Sequence, residues 1–385
     1  MTSRPFHLMI KPTGAACNLA CEYCYYLDKG AYYPGSCFRM DDPTLERITA
    51  AYLQTNPAPQ VVFGWQGGEP LLMGRGFYQR AIALQAKYTR PNQRVQNALQ
   101  TNGLLIDDEW AAFFGEHGFL VGVSIDGPPD LHDRYRRDGA GKPSYARALA
   151  GVRALQRAGV TPNALVTVNR ANADHPIKVY RHLTALGFEH VQFIPVVERQ
   201  PKGRKVTESS VRPDVFGRFL CEIFDYWARN DVGRVFVQTI EVTLSRWLGG
   251  PPSLCVFAPT CGLALAVEHT GDLYACDHFV YPGFLRGQVS ADKLASLVEG
   301  DAQREFGMAK ADVSGTCREC SALWLCGGDC PKHRLRIAVD GKPISYLCPA
   351  YRTFFSHSEQ IMRAMASEVG AGRPAANVMD ALREA

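Results

Sequence analysis

Hydrophobic and polar positions follow two textures along this chain. Up to about residue 197, short apolar runs alternate with amphipathic segments. The runs HLMIKP (7–12), VVFGWQ (61–66), VQNALQ (95–100), FLVGVSI (119–125), ALVTVN (164–169) and HVQFIPVV (190–197) predict strands. Most are continuous rather than alternating, as expected where both faces of a parallel strand are covered. Between two of them, Ala148, Leu149, Val152 and Leu155 recur at helical spacing over 144–158, and Gly159 predicts the end of that helix. Strand and helix repeated in this way predict right-handed crossovers and a parallel sheet, here an α/β partial (β/α)6 TIM-like barrel.

The polar stretch ERQPKGRKVTESS (198–210) breaks the rhythm. A long helix follows, with Val215, Phe216, Phe219, Leu220, Ile223, Phe224 and Trp227 on one core-facing stripe. Beyond GGPP (249–252) the texture changes to dense cysteines, turns and short strands, which predicts a small cysteine-rich α+β domain. The boundary falls between about 230 and 252, dividing the chain into 1–235 and 236–385. The tail GAGRPAANVMDALREA is small and polar and predicts fraying.

Composition narrows the classes. A chain that is 46% hydrophobic and 21% charged has ample core material. Its 42 Lys and Arg against 38 Asp and Glu leave a surplus of only +4, and the densest basic run is Arg134, Arg136 and Arg137. That argues against nucleic acid as a partner, since binding by bulk charge needs a clustered basic face. No apolar run approaches the ~20 residues of a spanning helix. The start, MTSRPFHLMIKP, lacks the roughly 7–15 apolar residues of a signal peptide. The expectation is a cytoplasmic protein with no membrane partner. In a reducing compartment, thirteen cysteines read as metal or cluster ligands rather than disulfides.

After the first predicted strand comes Cys17-x3-Cys21-x2-Cys24. Three thiolates on a tight loop can cap three corners of a cubane iron–sulfur cluster and leave one iron open. A zinc knuckle would need a fourth Cys or His, which the loop lacks. This motif, with Tyr23 before its last cysteine, resembles the radical S-adenosylmethionine superfamily. The resemblance implies that the open iron chelates S-adenosylmethionine. Gly67-Gly68-Glu69-Pro70 ends the second strand and is similar to the superfamily's GGEP motif, which implies contact with the methionine amino group. Paired glycines allow close backbone approach, and a carboxylate suits an ammonium. Ser124 and Asp126 close the fourth strand, at the edge where barrel enzymes place function, and Arg136 follows.

The second region carries Cys255, Cys261 and Cys276, then Cys317, Cys320, Cys326, Cys330 and Cys348. Eight cysteines are enough for two four-cysteine sites, with Cys37 and Cys221 left over. Cys221 lies within the long helix and reads as a small buried residue. Spacing does not choose between partitions of the eight, and two zinc ribbons are the alternative. The arrangement resembles the SPASM auxiliary-cluster domain. That resemblance implies one site from Cys255, Cys261, Cys276 and Cys330, and another from Cys317, Cys320, Cys326 and Cys348. The total is then three 4Fe-4S clusters.

IKPTGAACNLACEYCYY, GWQGGEPL, LQTNGLLIDDEW, FLVGVSIDGP and YACDHFV extend the resemblance over nearly the whole chain. They are similar to the anaerobic sulfatase-maturating enzymes, which oxidise a Ser or Cys of a nascent sulfatase to Cα-formylglycine. The resemblance implies Asp277 as proton acceptor, Gln66 and Tyr26 near the substrate side chain, and Tyr23, Gly67, Gly68, Glu69, Ser124, Arg136 and Val197 as cofactor contacts. It also implies an unfolded sulfatase polypeptide as partner and a low-potential electron donor such as flavodoxin or ferredoxin. A carboxylate beside a cluster ligand suits a base whose substrate must also lose an electron. Whether His278 tunes Asp277 is open at this level. The alternative is a maturase that crosslinks a ribosomally made peptide; such enzymes often carry an additional N-terminal leader-binding domain, which is not expected here with a first predicted strand at residue 7.

Overall fold

The computed structural model describes residues 1–200 and 203–384. Pro201 and Lys202 of the polar stretch, and Ala385 of the tail, lie outside them. In chain order the principal strands are β1 (His7–Lys11), β2 (Gln60–Trp65), β3 (Arg94–Thr101), β4 (Leu120–Ser124), β5 (Asn163–Val168), β6 (His190–Pro195), β7 (Phe236–Val237), β8 (Ala264–Glu268), β9 (Asp272–Tyr274) and β10 (Leu285–Gln288). Each of the six predicted strands is present, with ends displaced by two residues at most. Only in β6, where Pro195 ends the pairing, does a valine pair (Val196, Val197) run on beyond the strand.

The chain forms two compact units. One comprises Met1–Ser124, Arg136–Pro162 and Cys261–Ala309; the other comprises Ile125–Tyr135, Asn163–Thr260 and Lys310–Ala385. In the first unit, β1 to β4 lie side by side in parallel, with Leu8 opposite Phe63, Val61 opposite Val95 and Leu99 opposite Val121. On the other edge of β1 lies β8, also parallel, with Lys11 opposite Glu268. The antiparallel strands β9 and β10 extend that edge. The cysteine-rich sequence therefore returns to the first strand, a long-range pairing that periodicity does not reveal.

The helices follow local signals. Asp41 and Asp107 cap Asp42–Thr55 and Asp108–Glu116, accepting the N–H of Thr44 and Trp110 at 2.8 Å each. The predicted helix forms over Tyr145–Arg157 and buries Ala148, Val152 and Leu155. Under the sheet, Trp65 stacks on Phe63, meets Tyr78 edge-on at 5.5 Å, and donates to Asn97 at 2.8 Å. Gln85 completes Asn97's bonding, so this polar pair sits in the core fully partnered.

In the second unit, β5, β6 and β7 are parallel. The helix Pro213–Asn230 buries its whole predicted stripe, at roughly 1.5–3 kcal/mol for each large apolar side chain. It packs on Cys348–Gly370, where Phe224 meets Phe354 edge-on and Gly217 leaves Ala350 room to approach. Within the described residues the tail forms a 3-10 turn (Ala375–Asn377) and a helix (Val378–Glu384). Arg373 forks onto Glu368 and Asn377 donates to the same carboxylate, fixing the turn before the helix Val378–Glu384, whose Val378 is buried. Among the described residues, no helix is long and apolar enough to cross a membrane.

Candidate active site

The loop after β1 is built by short backbone bonds: the Gly14 N–H donates to the Lys11 carbonyl, Ala16 to Thr13, and Cys24 to Cys21. Cys17, Cys21 and Cys24 are partly exposed and are not joined in disulfides. The Leu19 N–H donates to Cys17 Sγ at 3.4 Å, and Asn102 Nδ2 lies 3.8 Å from it. Burial pushes the Cys17 thiol up to about 12, and the neighbouring Glu69, Cys21 and Cys24 add to that against the Leu19 bond. Metal coordination reverses such a preference, since the ligand is the thiolate.

The two glycines after β2 serve this loop. A Cβ on Gly68 would stand 1.9 Å from the Ala16 carbonyl oxygen, while its own N–H bonds the Gly14 carbonyl at 2.8 Å. Gly67 has φ +145 and faces the Gly14 carbonyl. Both glycines thus let the β2 turn approach the cysteine loop's backbone closely. Glu69 is fully buried, and its carboxylate accepts from the Leu71 N–H, the Asn102 N–H and the Thr101 hydroxyl, each at 2.9 Å. Burial raises it to about 7 despite those bonds. It clamps the end of β2 to the end of β3.

Asp277 opens a short turn directly after Cys276 and is 14% exposed. It pairs with Lys11, the last residue of β1, whose side chain has no exposed surface, and it accepts a hydrogen bond from the Tyr25 hydroxyl. Burial pushes its carboxyl up, but the Lys11 ammonium, His278 and the two hydrogen bonds outweigh it and hold Asp277 below the usual carboxylate value. The His278 ring stands edge-on to Tyr25 at 5.3 Å, and its effect on Asp277 is through charge. Lys11 Nζ also lies 3.4 Å from Gln66 Oε1 and 4.3 Å from the centre of the Tyr26 ring. Tyr26 donates to Glu268 and is buried beside Ala15, Ala266, Tyr274 and Val280. The structure thus brings Asp277, Gln66 and Tyr26 around one ammonium. The sequence reading missed Lys11, which looks like a strand-end lysine, and Tyr25, hidden in a tyrosine doublet.

Arg136 is buried with its guanidinium 5.5 Å from the Tyr23 ring, which joins two of the residues matched to the cofactor. Ser124 ends β4 in the same unit, whereas Val197 lies buried in the other. Asp126 turns inward, accepting from the Thr167 N–H and hydroxyl at 2.9 and 2.8 Å, which is a structural use of its carboxylate.

The remaining cysteines are likewise not joined in disulfides. Cys317, Cys320, Cys326 and Cys348 all line one cavity of about 1240 Å³ within the second unit. Burial raises the Cys326 thiol to about 12, aided by Asp329. Cys255 and Cys330 belong to that unit, and Cys261 and Cys276 to the first. Cys37 is exposed; Cys221 is buried in its helix, with its thiol pushed up to about 11 by burial. Among the described residues, no three His, Cys, Asp or Glu side chains converge on a single-ion site. Thiolates are the donors that iron–sulfur clusters take.

This donor set on this fold defines a class. Residues 12–197 match the Radical SAM superfamily and residues 255–321 match SPASM, an iron–sulfur cluster-binding domain. The chain is 40% identical to the serine-type anaerobic sulfatase-maturating enzyme of Bacteroides thetaiotaomicron, over 99% of this chain and 96% of that one. It is 31% identical to the cysteine-type enzyme of Clostridium perfringens, over 92% and 96%. The solved structure of native anSMEcpe with bound AdoMet and Kp18Cys peptide superposes with a TM-score of 0.87 at 30% identity, covering 94% of this chain and 99% of that chain. This chain belongs to the anaerobic sulfatase-maturating enzymes. The radical SAM fold, the C-terminal SPASM domain and iron–sulfur chemistry expected from the sequence hold.

Proposed function

We propose that this enzyme oxidises a serine or cysteine side chain in an unfolded sulfatase polypeptide to Cα-formylglycine, with Asp277 as the base. The observation that carries this reading is the Lys11–Asp277–Tyr25 arrangement next to Cys276. Converting a side-chain CH2–OH to an aldehyde removes two electrons and two protons. When bound, the cluster at Cys17, Cys21 and Cys24 with S-adenosylmethionine supplies hydrogen-atom abstraction at Cβ, and the auxiliary clusters supply a sink for the second electron. The chain's own residues handle the other proton. Once Cβ has lost its hydrogen, the hydroxyl proton becomes far more acidic, so a carboxylate of ordinary or lowered basicity can take it. Lys11 keeps Asp277 ionised and Tyr25 fixes its orientation, while Gln66 and Tyr26 face the target side chain.

Tyr23, Arg136, Ser124, Val197 and the Gly67–Gly68–Glu69 turn hold and shape the cofactor pocket. Auxiliary cysteines divide into Cys255, Cys261, Cys276 and Cys330, and Cys317, Cys320, Cys326 and Cys348, for three 4Fe-4S clusters in all. Residues 1–235 carry radical generation and 236–385 electron transfer, fed by a low-potential flavodoxin or ferredoxin. The higher identity to serine-type relatives supports serine as the target. The test is mass spectrometry of Ser-x-Pro-x-Arg and Cys-x-Pro-x-Arg peptides after anaerobic turnover. Formylglycine at the target position is the expected product. A peptide crosslink, or no change at the target residue, overturns the reading.

A further inference from the structure

A second cluster of hydroxyl, imidazole and carboxylate side chains lies in the first unit, apart from the groups assigned to the maturation chemistry. On the loop that follows the short helical turn Leu27–Tyr32, Ser36 Oγ lies 2.6 Å from Nε2 of His269. The other ring nitrogen of His269, Nδ1, lies 3.0 Å from Oε2 of Glu268. Hydroxyl, imidazole and carboxylate are therefore in series, each within hydrogen-bond reach of the next. This is the relationship by which a base-activated nucleophile is recognised on any fold. Glu268 is 1% exposed and His269 4%, while Ser36 is partly open to solvent beside the exposed Cys37.

The surroundings fix the tautomer and the ring. Nδ1–H donated to the Glu268 carboxylate leaves the Nε2 lone pair to accept the Ser36 hydroxyl. Glu268 is itself anchored, since Tyr26 donates to its other oxygen. Tyr33 stands edge-on to the imidazole at 5.0 Å and Phe38 lies 5.2 Å away. Behind the ring is Gly14, where a Cβ would come within 2.7 Å of Nδ1. The Phe38 N–H donates to Ser36 Oγ at 3.0 Å, and Phe38 adopts φ +50, a conformation unusual for a bulky side chain. With that amide on one side and Nε2 on the other, the Ser36 hydroxyl is directed at the base. A loop clip alone needs neither the buried carboxylate nor its anchoring tyrosine.

We propose that Ser36, with His269 as its general base and Glu268 orienting the imidazole, is a nucleophilic site that accepts acyl groups from activated esters. Ser36 Oγ bonds the ester's carbonyl carbon and its proton passes to His269 Nε2. The ester carbon–oxygen bond breaks, and the leaving oxygen departs with that proton. No oxidant or reductant is involved.

The test uses the cluster-loaded holoenzyme, anaerobically, without peptide or S-adenosylmethionine, so that its outcome is independent of sulfatase maturation. A fluorophosphonate probe, which forms Oγ–P as P–F breaks, is followed by peptide mapping, and 4-nitrophenyl acetate is followed by its released phenolate. The expected results are one adduct, on Ser36, and a burst of one phenolate per chain. Ser36→Ala should abolish both, and His269→Ala should slow labelling by about 10²–10⁴-fold, the usual worth of a positioned base. Denatured enzyme should not label. An unlabelled native enzyme, an adduct mapped elsewhere, or undiminished labelling in His269→Ala would each overturn the proposal.

Discussion

Lys11 and Asp277 are 266 positions apart in sequence and form an ion pair in which the lysine is wholly buried. The pairing of β8 beside β1 makes this possible. Lys11 stands opposite Glu268, and the chain then turns through β9 to deliver Asp277 over the end of β1. A buried ion pair is weak evidence of stabilisation, because desolvating two charges offsets much of their attraction. Its value here is positional: an ionised carboxylate is held in one place beside Cys276.

Removing Lys11 should therefore change the protonation of Asp277 before it changes the fold. In the wild type, Lys11 and His278 hold the Asp277 carboxyl below its usual value of 3.8. A depressed acid contributes stability that is present above the unfolded value and lost as pH falls through the folded one, so the wild-type contribution is complete at neutral pH. In Lys11→Met, burial dominates and drives the carboxyl upward. The acid limb of the pH–rate profile for formylglycine formation should then move to higher pH, and Lys11→Arg should restore most of it. Truncating one partner of a buried pair costs roughly 3–5 kcal/mol, reduced here by the partial exposure of Asp277. Thermal unfolding at pH 7 should register that loss. An unmoved acid limb in Lys11→Met would show that Asp277 is not the titrating base.

Gly68→Ala tests the contact between the β2 turn and the cysteine loop. With a Cβ only 1.9 Å from the Ala16 carbonyl, backbone must shift, because no flexible side chain is there to yield. Overpacking of this kind costs typically 1–3 kcal/mol. The shift falls on the segment between Gly14 and Cys17. Reconstituted variant should lose about four irons per chain, one cubane's worth, while the SPASM clusters remain. Iron and sulfide analysis beside the wild type measures this; full iron content with unimpaired S-adenosylmethionine cleavage would contradict the packing account.

What was legible in the sequence divides along physical lines. The six strands β1 to β6 were readable because each is a local apolar run, and the cysteine motifs because ligand spacing is local too. The parallel partner of β1 was not, since ALAVE is short and sits among cysteines, and nothing local reports a pairing across the length of the chain. Lys11 was missed for the same reason: a lysine ending a strand reads as a solvent-facing stop until its partner is known. Glu69 was found by motif, but its bonds to the Leu71 and Asn102 amides are fixed by β2–β3 pairing and by no pattern in the tetrapeptide. The helix of the tail was hidden by composition, because the Glu368–Arg373 fork before it is one pair in a polar segment.

The cysteine arithmetic predicts iron content by region. Intact enzyme should hold about twelve irons, four per cluster. Replacing Cys17, Cys21 and Cys24 with Ala should remove about four and abolish S-adenosylmethionine cleavage. Replacing the cavity-lining Cys317, Cys320, Cys326 and Cys348 should remove another four yet leave reductive cleavage measurable with a chemical reductant. If the first triple variant still cleaved S-adenosylmethionine, the loop after β1 would not carry the catalytic cluster.

Asp277→Asn separates hydrogen-atom abstraction from completion of the oxidation. The substitution keeps side-chain size and the chance of a hydrogen bond with Tyr25, but it removes basicity and leaves Lys11 without its counter-charge. Loss of a positioned base typically costs 10²–10⁴-fold, about 3–5 kcal/mol of barrier at 1.36 kcal/mol per decade. The variant should keep its iron and still produce 5′-deoxyadenosine, while formylglycine collapses. With deuterium at the substrate Cβ, label should still enter 5′-deoxyadenosine, which marks abstraction that is not carried through. Tyr25→Phe removes only one hydrogen bond to the same carboxylate, worth about 1.5–3 kcal/mol when one partner is charged, so its product ratio should fall between those of Asp277→Asn and the wild type. The measured quantity is formylglycine per 5′-deoxyadenosine in all three proteins. Parallel loss of both products in Asp277→Asn would move Asp277 into cofactor binding or cluster assembly. An unchanged ratio and rate would assign the proton to another group, with His278, edge-on to Tyr25, the nearest alternative on the same turn.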